Sequence, residues 1–227
     1  MADNAEELIG LEWIHSAERR RTDILLASAA VGPILVGTAV LATLVFIETG
    51  TNPIIVQDRI GTGGESFRQP KVRSYKSAHD FNDTFDPLVH TDRLSRIGSF
   101  ARSRHFDDLV SVLNILDGDL SFWGPRPLLA NDVAQMKGFL EPKDFDYWFE
   151  RYRASKKGWL SPYQAWGVND AKPNTPEAAK SRAHWDTFYI ENASKELDRA
   201  LFAEATSAIL PVGILKRRAQ KIYKTLD

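Results

Sequence analysis

From Ile24 to Ile47 the chain carries 24 residues without a charge, long enough to cross a bilayer as a straight helix. The run begins after Arg19-Arg20-Arg21, with Asp23 at its edge, and Gly32-Pro33 lies near its middle. It is too long for the apolar region of a signal peptide and ends in no convincing cleavage site. A proline inside a helix removes one hydrogen bond and clashes with the preceding turn, so the pattern predicts a kink at Pro33. Basic residues stand on both sides: Arg19, Arg20 and Arg21 before the run, and Arg59, Arg68, Lys71, Arg73 and Lys76 after it. The positive-inside rule then places both flanks in the cytoplasm. A kinked re-entrant hairpin meets that demand, whereas a single span does not. A single span and a buried core helix remain the alternatives.

Past this run the period changes. Asn52-Pro53-Ile54-Ile55-Val56-Gln57-Asp58-Arg59-Ile60-Gly61 places β-branched residues before glycines at 61, 63 and 64, which predicts a strand and a hairpin. Lys71 and Arg73 alternate along the returning strand and would share one face, where they could meet phosphates. From Phe106 the spacing turns helical. Phe106, Leu109, Leu113 and Leu116, with Val112 beside them, make an apolar face, and Asp107, Ser111 and Asn114 lie on another. Phe145, Trp148, Phe149 and Tyr152 follow i, i+3, i+4, i+7 among basic neighbours. That stripe suits either a headgroup layer or the protein core. Ile214-Leu215-Lys216-Arg217-Arg218 and Lys221-Ile222-Tyr223-Lys224 form a short basic amphipathic tail, suited to anionic lipid or to a solvated helix end.

Composition narrows the class little. The 227 residues suffice for one globular unit plus an appendage. The absence of cysteine excludes a disulfide framework and any Cys-ligated metal. A formal net charge of −1 gives no sign of nucleic acid as a partner.

The candidate chemistry lies between His105 and Pro127. Asp107 and Asp108 open the helical run, and negative charge at a helix start is favoured by its dipole. Two neighbouring carboxylates repel, and a divalent cation would relieve them. Downstream come Asn114, a turn at Asp117-Gly118-Asp119, Ser121, and Gly124-Pro125-Arg126-Pro127. The flanking prolines stiffen the backbone around Arg126, whose planar guanidinium suits bidentate phosphate contact.

This order resembles the bacterial sugar transferases, the monotopic polyprenyl-phosphate glycosyl-1-phosphate transferases. Their pattern is roughly Asp-Glu-Leu-Pro-Gln-x-x-Asn-x-x-x-Gly-x-Met-Ser-x-x-Gly-Pro-Arg-Pro. Asn52 to Gly61 resembles the family's Gly-Pro-x-x-Phe-x-Gln-x-Arg-x-Gly, and Lys71 to Tyr75 its Lys-Phe-Arg-Ser-Met. Arg93 to Arg102 matches the segment leading to the acidic pair. Gly158, Gln164 and Gly167 keep a Gly-rich loop, and Asp186, Tyr189, Ser194 and Asp198 a closing motif. The resemblance runs from about Thr22 to Leu210. The chain departs from it at Asp108 for Glu, Val110-Ser111 for Pro-Gln, Asn52 for Gly, and Ser161-Pro162 in the Gly-rich loop.

The resemblance implies a mainly helical α+β, membrane-associated monotopic fold. It comprises a lead-in (1–21), a Pro-kinked re-entrant helix (22–48) with Pro33 in the membrane, a compact cytoplasmic catalytic domain (49–210) and a basic tail (211–227). It implies transfer of a sugar-1-phosphate from a nucleotide diphosphosugar, usually a UDP-sugar, to a polyprenyl phosphate through an aspartyl-phosphosugar intermediate. Asp107 and Asp108 would be catalytic, Asp108 also holding Mg²⁺. Arg126, Lys71, Arg73 and Arg102 would bind substrate phosphate, and Gln57, Pro125, Pro127 and Gln164 would contact substrate. The implied place is the cytoplasmic face of a bacterial inner membrane. The implied partners are the two substrates and the bilayer, with a second copy or downstream glycosyltransferases beyond them. Two other readings stay open: a nucleotide-sugar-binding pseudoenzyme partnering an active paralogue, and a bitopic protein with an outer binding domain.

Overall fold

The computed structural model describes residues 10–76, 93–167 and 170–209. Helix α1 (Ala17–Thr49) starts at Ser16, whose hydroxyl accepts from the Arg19 amide. It ends at Gly50, a left-handed residue whose amide bonds back to the Phe46 carbonyl, a glycine-capped helix end. The helix runs unbroken across Pro33 for 33 residues, about 50 Å at the helical rise. The kink predicted there is therefore no interruption of the helix. Ala29, whose carbonyl Pro33 leaves without a helical donor, is exposed, as is Pro33 itself.

One face of α1 is covered. Arg19, Asp23, Ala27, Thr38 and Val45 are buried on it, and Val31 and Ile34 pack against the main core. The other face stays open, with Leu25 72%, Val36 68% and Ile47 74% exposed. Among the described residues this is the one helix long and apolar enough to cross a membrane.

Both ends of α1 are fastened to the same body. At the start, Arg19 donates to the Trp123 carbonyl (2.5 Å), the Tyr189 hydroxyl (2.8 Å) and Asp198 (3.2 Å). Asp23 accepts from Ser121 Oγ and the Phe122 amide, both at 3.0 Å. Arg20 donates to the carbonyls of Ile115 (2.5 Å) and Leu116 (2.7 Å). At the far end, Glu48 accepts from the amides of Arg96 (2.6 Å) and Ile97 (2.9 Å), the first residues of helix α2 (Arg96–Ser103). Arg19 and Arg20 are thus structural donors to the body. The flank-charge argument for topology loses these two residues, and the double fastening replaces it.

Strands β1 (Ile54–Ile60) and β2 (Ser66–Val72) form the predicted hairpin, antiparallel with Gln57 opposite Gln69 and Ile55 opposite Lys71. Ile55, Gln57 and Arg59 therefore share a face with Gln69 and Lys71. That face is held against the following turn, where Gln69 donates to Ser111 Oγ (2.9 Å) and Asn114 donates to the Arg68 carbonyl (2.9 Å).

The stretch predicted as one helix from Phe106 is two pieces. A 3₁₀ turn covers Phe106–Ser111 and a short α3 covers Val112–Asp117. The tighter 3₁₀ winding shifts the faces. Asp107, Ser111 and Asn114, placed on the other face, are buried, as is Asp108; of the apolar face Val112 is buried, while Phe106, Leu109, Leu113 and Leu116 are half-buried. A parallel pair, β3 (Leu120–Trp123) and β4 (Lys157–Leu160), follows at the centre. Around it stand α4 (Ala130–Phe139), α5 (Pro142–Ala154), α6 (Pro176–Asn192) and α7 (Lys195–Ile209).

The aromatic stripe on α5 belongs to the core. Trp148 is 1% exposed, and Phe145, Phe149 and Tyr152 stack beside it with Leu128, Met136 and Leu140. The four rings interlock within one cluster, and the headgroup-layer alternative falls. The basic tail after residue 209 lies outside the described residues.

Candidate active site

A cleft of about 520 Å³ opens between the hairpin, the 3₁₀ turn, α4 and α6. Its floor carries Asp107 and Asp108, 8% and 3% exposed. The residue before the turn, His105, has φ 57°, an uncommon conformation for a side chain of that size. It reverses the chain so that both carboxylates enter the interior.

The two carboxylates differ in their neighbours. Asp108 is gripped on both oxygens: Lys71 faces Oδ1, and Arg126 Nη2 donates to Oδ2 at 2.8 Å. Burial opposes its charge, but Lys71 and Arg126 outweigh burial and hold the carboxyl well below the usual range. Asp107 accepts no hydrogen bond among the described residues. Burial and then the neighbouring Asp108 charge raise its pKa, while Lys71, Arg126 and Arg102 oppose the rise. The stabilisation expected from a helix dipole is small here, because α3 has only six residues; side-chain cations take its place. Burial lowers Lys71 to about 8 and Arg59 to about 10.

The other expected residues sort plainly. Gln164 accepts from Arg126 Nη1 at 3.3 Å and sits on a single π-helical turn, Tyr163–Gly167; such turns recur at functional sites. Gln57 lines the cleft and accepts from Arg59 at 2.6 Å. Arg102 lines it too, donating to the Tyr75 hydroxyl at 2.9 Å. Arg73 does not join them. Strand β2 ends at Val72, and Arg73 Nε turns back to the Asn52 carbonyl at 2.7 Å. Pro125 and Pro127 frame the site rather than line it. Their carbonyls accept from the Gly158 amide (2.9 Å) and from Arg59 (3.0 Å).

Two features escaped the sequence reading. The closing motif is a fastener away from the cleft: Tyr189 donates to Asp198, which also accepts from Arg19 and from Trp13 Nε1 (2.9 Å). Tyr152, read as one ring of an apolar stripe, uses its hydroxyl to hold the strap carrying Arg126. It accepts from the Leu128 amide (2.9 Å) and donates to the Arg126 carbonyl (3.1 Å). Only the i+7 spacing pointed to Tyr152, and spacing says nothing about a hydroxyl. Tyr152→Phe should leave the Leu128 amide unpaired at a stability cost of about 1–3 kcal/mol, and loosen Arg126. A thermal melt should show a lowered midpoint, and phosphate-dependent ligand binding should weaken with it.

The charges define a site for an anionic ligand. Asp108 pre-positions two cations, Arg126 presents a planar donor, and Asp107 beside them accepts no hydrogen bond among the described residues. The family model for bacterial sugar transferases matches residues 14–211, and the chain belongs to that family.

Among its relatives, the UDP-galactose-lipid carrier transferase of Erwinia amylovora is 25% identical over 208 residues, covering 84% of this chain and 40% of that protein. The UDP-N-acetylgalactosamine-undecaprenyl-phosphate N-acetylgalactosaminephosphotransferase of Aeromonas hydrophila is 26% identical over 204 residues, covering 87% of this chain and 44% of that protein. The chain thus spans under half the length of these two. The exopolysaccharide production protein ExoY of Sinorhizobium fredii matches at 26% identity over 90% of each chain.

Proposed function

We propose that the protein transfers a sugar-1-phosphate from a UDP-sugar to a polyprenyl phosphate at the cytoplasmic face of a bacterial inner membrane. The observation that carries this reading is the inequality of the two carboxylates. Asp108 is pinned by Lys71 and Arg126, and Asp107 beside it accepts no hydrogen bond among the described residues. A buried carboxylate made more basic by a neighbouring charge is a better nucleophile. The Asp107 oxygen attacks the sugar-bearing phosphorus, the bond to the bridging oxygen breaks, and UMP leaves with that electron pair. An oxygen of the polyprenyl phosphate then attacks the same phosphorus, releasing the Asp107 carboxylate and giving the polyprenyl-diphosphate sugar.

The donor set fits Mg²⁺ in the company of a diphosphate. No group of three or more acidic or imidazole ligands stands among the described residues. Mg²⁺ needs few protein carboxylates when phosphate oxygens and water complete its shell. Asp108 would hold it, in competition with Lys71. Bound there, the ion would neutralise diphosphate charge and stabilise the leaving phosphate.

The double fastening of α1 supports a monotopic placement. A helix with Asp23 at one end and Glu48 at the other bound to one body has both ends on that body's side of a membrane. Its open apolar face is left to lie in the near leaflet. The chain has no native cysteine, so cysteines introduced at Ala17 and Thr51 are the sole targets of an impermeant thiol reagent. In spheroplasts both should resist labelling and both should label after lysis; opposite accessibility would reject the placement. The reaction is tested with purified protein, a UDP-sugar panel, Mg²⁺ and undecaprenyl phosphate. UMP release with one sugar is the expected result, and no release with any sugar moves the assignment to a pseudoenzyme.

A further inference from the structure

The cleft has a second arm that the transfer chemistry does not use. Asp132 and Gln135 stand one turn apart on α4, facing Arg182 and Tyr163 across the cleft. Asp132 is 4% exposed. Its Oδ2 accepts from the Leu129 amide at 3.0 Å and lies 3.8 Å from Arg59 Nη1. Among the described residues its Oδ1 is buried without a partner, and so are Gln135 Oε1, Arg182 Nη1 and Arg59 Nε. The Arg182 guanidinium lies over the Tyr163 ring, 4.3 Å from its centre. Four unpaired buried polar atoms around one space are unusual, because each costs free energy unless a ligand completes it.

Their chemistry narrows the ligand. Two are acceptors and two are donors. A carboxylate at the wall disfavours a phosphate there, and the phosphate already has Arg126, Lys71 and Arg102 at the other arm. A uridine base offers one N–H, which cannot satisfy both Asp132 Oδ1 and Gln135 Oε1. Adjacent hydroxyls can, since each donates to one acceptor and accepts from a guanidinium. Resting on the nucleotide-sugar reading above, we infer that Asp132, Gln135 and Arg182 form a subsite that binds a vicinal diol of the nucleotide sugar. The diol belongs either to the transferred sugar or to the ribose.

The test uses the full chain in detergent, with Gln135→Leu and Arg182→Met. Asp132 is left intact because it also holds the Leu129 amide and pairs with Arg59. The probes are UMP, 2′,3′-dideoxy-UMP and the UDP-sugar that the native protein binds most tightly. Unliganded melting midpoints equal to the native one establish folding, and Gln135→Leu is expected to pass because its amide oxygen has no partner to lose. Each variant should weaken diol binding by about tenfold, the scale of a lost ligand hydrogen bond. If the transferred sugar supplies the diol, UDP-sugar affinity falls and UMP affinity does not. If the ribose supplies it, UMP affinity falls and dideoxy-UMP affinity does not. Variants that change no affinity, or that weaken all three probes alike, overturn the subsite while leaving the transfer reaction standing. A native chain that binds no uridine nucleotide overturns both.

Discussion

Asp107→Asn should abolish UMP release, with or without polyprenyl phosphate. The amide is no nucleophile, so the first displacement has no attacking atom, and a loss of at least about 10³-fold is expected for removal of a covalent catalyst. Binding of the UDP-sugar should survive, because the neighbours proposed to hold phosphate, Arg126 and Lys71, are anchored by Asp108. It should even tighten slightly, since one negative charge leaves a site built for an anion. Mass spectrometry of the native protein after brief UDP-sugar exposure should place a phosphosugar adduct on the peptide containing Asp107. Native-like turnover by Asp107→Asn would reject the covalent route. Asp108→Asn should behave differently: it releases Lys71 and Arg126 from their anchor, so substrate affinity should fall along with rate.

Arg19→Met should be the most destabilising single change. The side chain is 1% exposed and gives hydrogen bonds to Ile14, Trp123, Tyr189 and Asp198. Methionine fills much of the volume but leaves Asp198 without its buried cation and two carbonyls without a donor. Breaking a buried pair from one side costs about 3–5 kcal/mol, roughly 6–20 °C in melting midpoint for a chain of this size. Lys195→Met is the control. Lys195 pairs with Glu18 at 2.6 Å with both side chains in solvent, so the midpoint should stay where it is. Equal shifts in the two variants would show that the Arg19 cluster contributes nothing beyond a surface pair.

Asp107, Asp108 and Arg126 stand in one ordered local pattern and Gln164 in a separate Gly-rich one, and the fold brings all four to one cleft. Arg73 fell outside because strand alternation was extended one residue beyond the strand's end. A period of 3.6 misplaces the acidic pair because Phe106–Ser111 is a 3₁₀ turn, whereas Val112, Leu113 and Leu116 on the α-helical part do face the core. Arg19, Arg20 and Asp23 read as charges bordering an apolar run; nothing local says that a carbonyl 104 residues away will take the Arg19 guanidinium. Asp132, Gln135 and Arg182 were invisible for a similar reason. Their common trait is a missing partner, which exists only once α4 and α6 face each other.

Behind Arg126 two glycines meet backbone to backbone. A Cβ on Gly158 would lie 2.1 Å from the Gly124 amide, and one on Gly124, whose φ is 141°, would lie 2.6 Å from the Lys156 carbonyl. No side chain fits on either partner, so neither can change first and wait for the other to compensate. Descent with modification is closed along this strap. A lineage that comes to handle a different substrate must vary elsewhere on the rim.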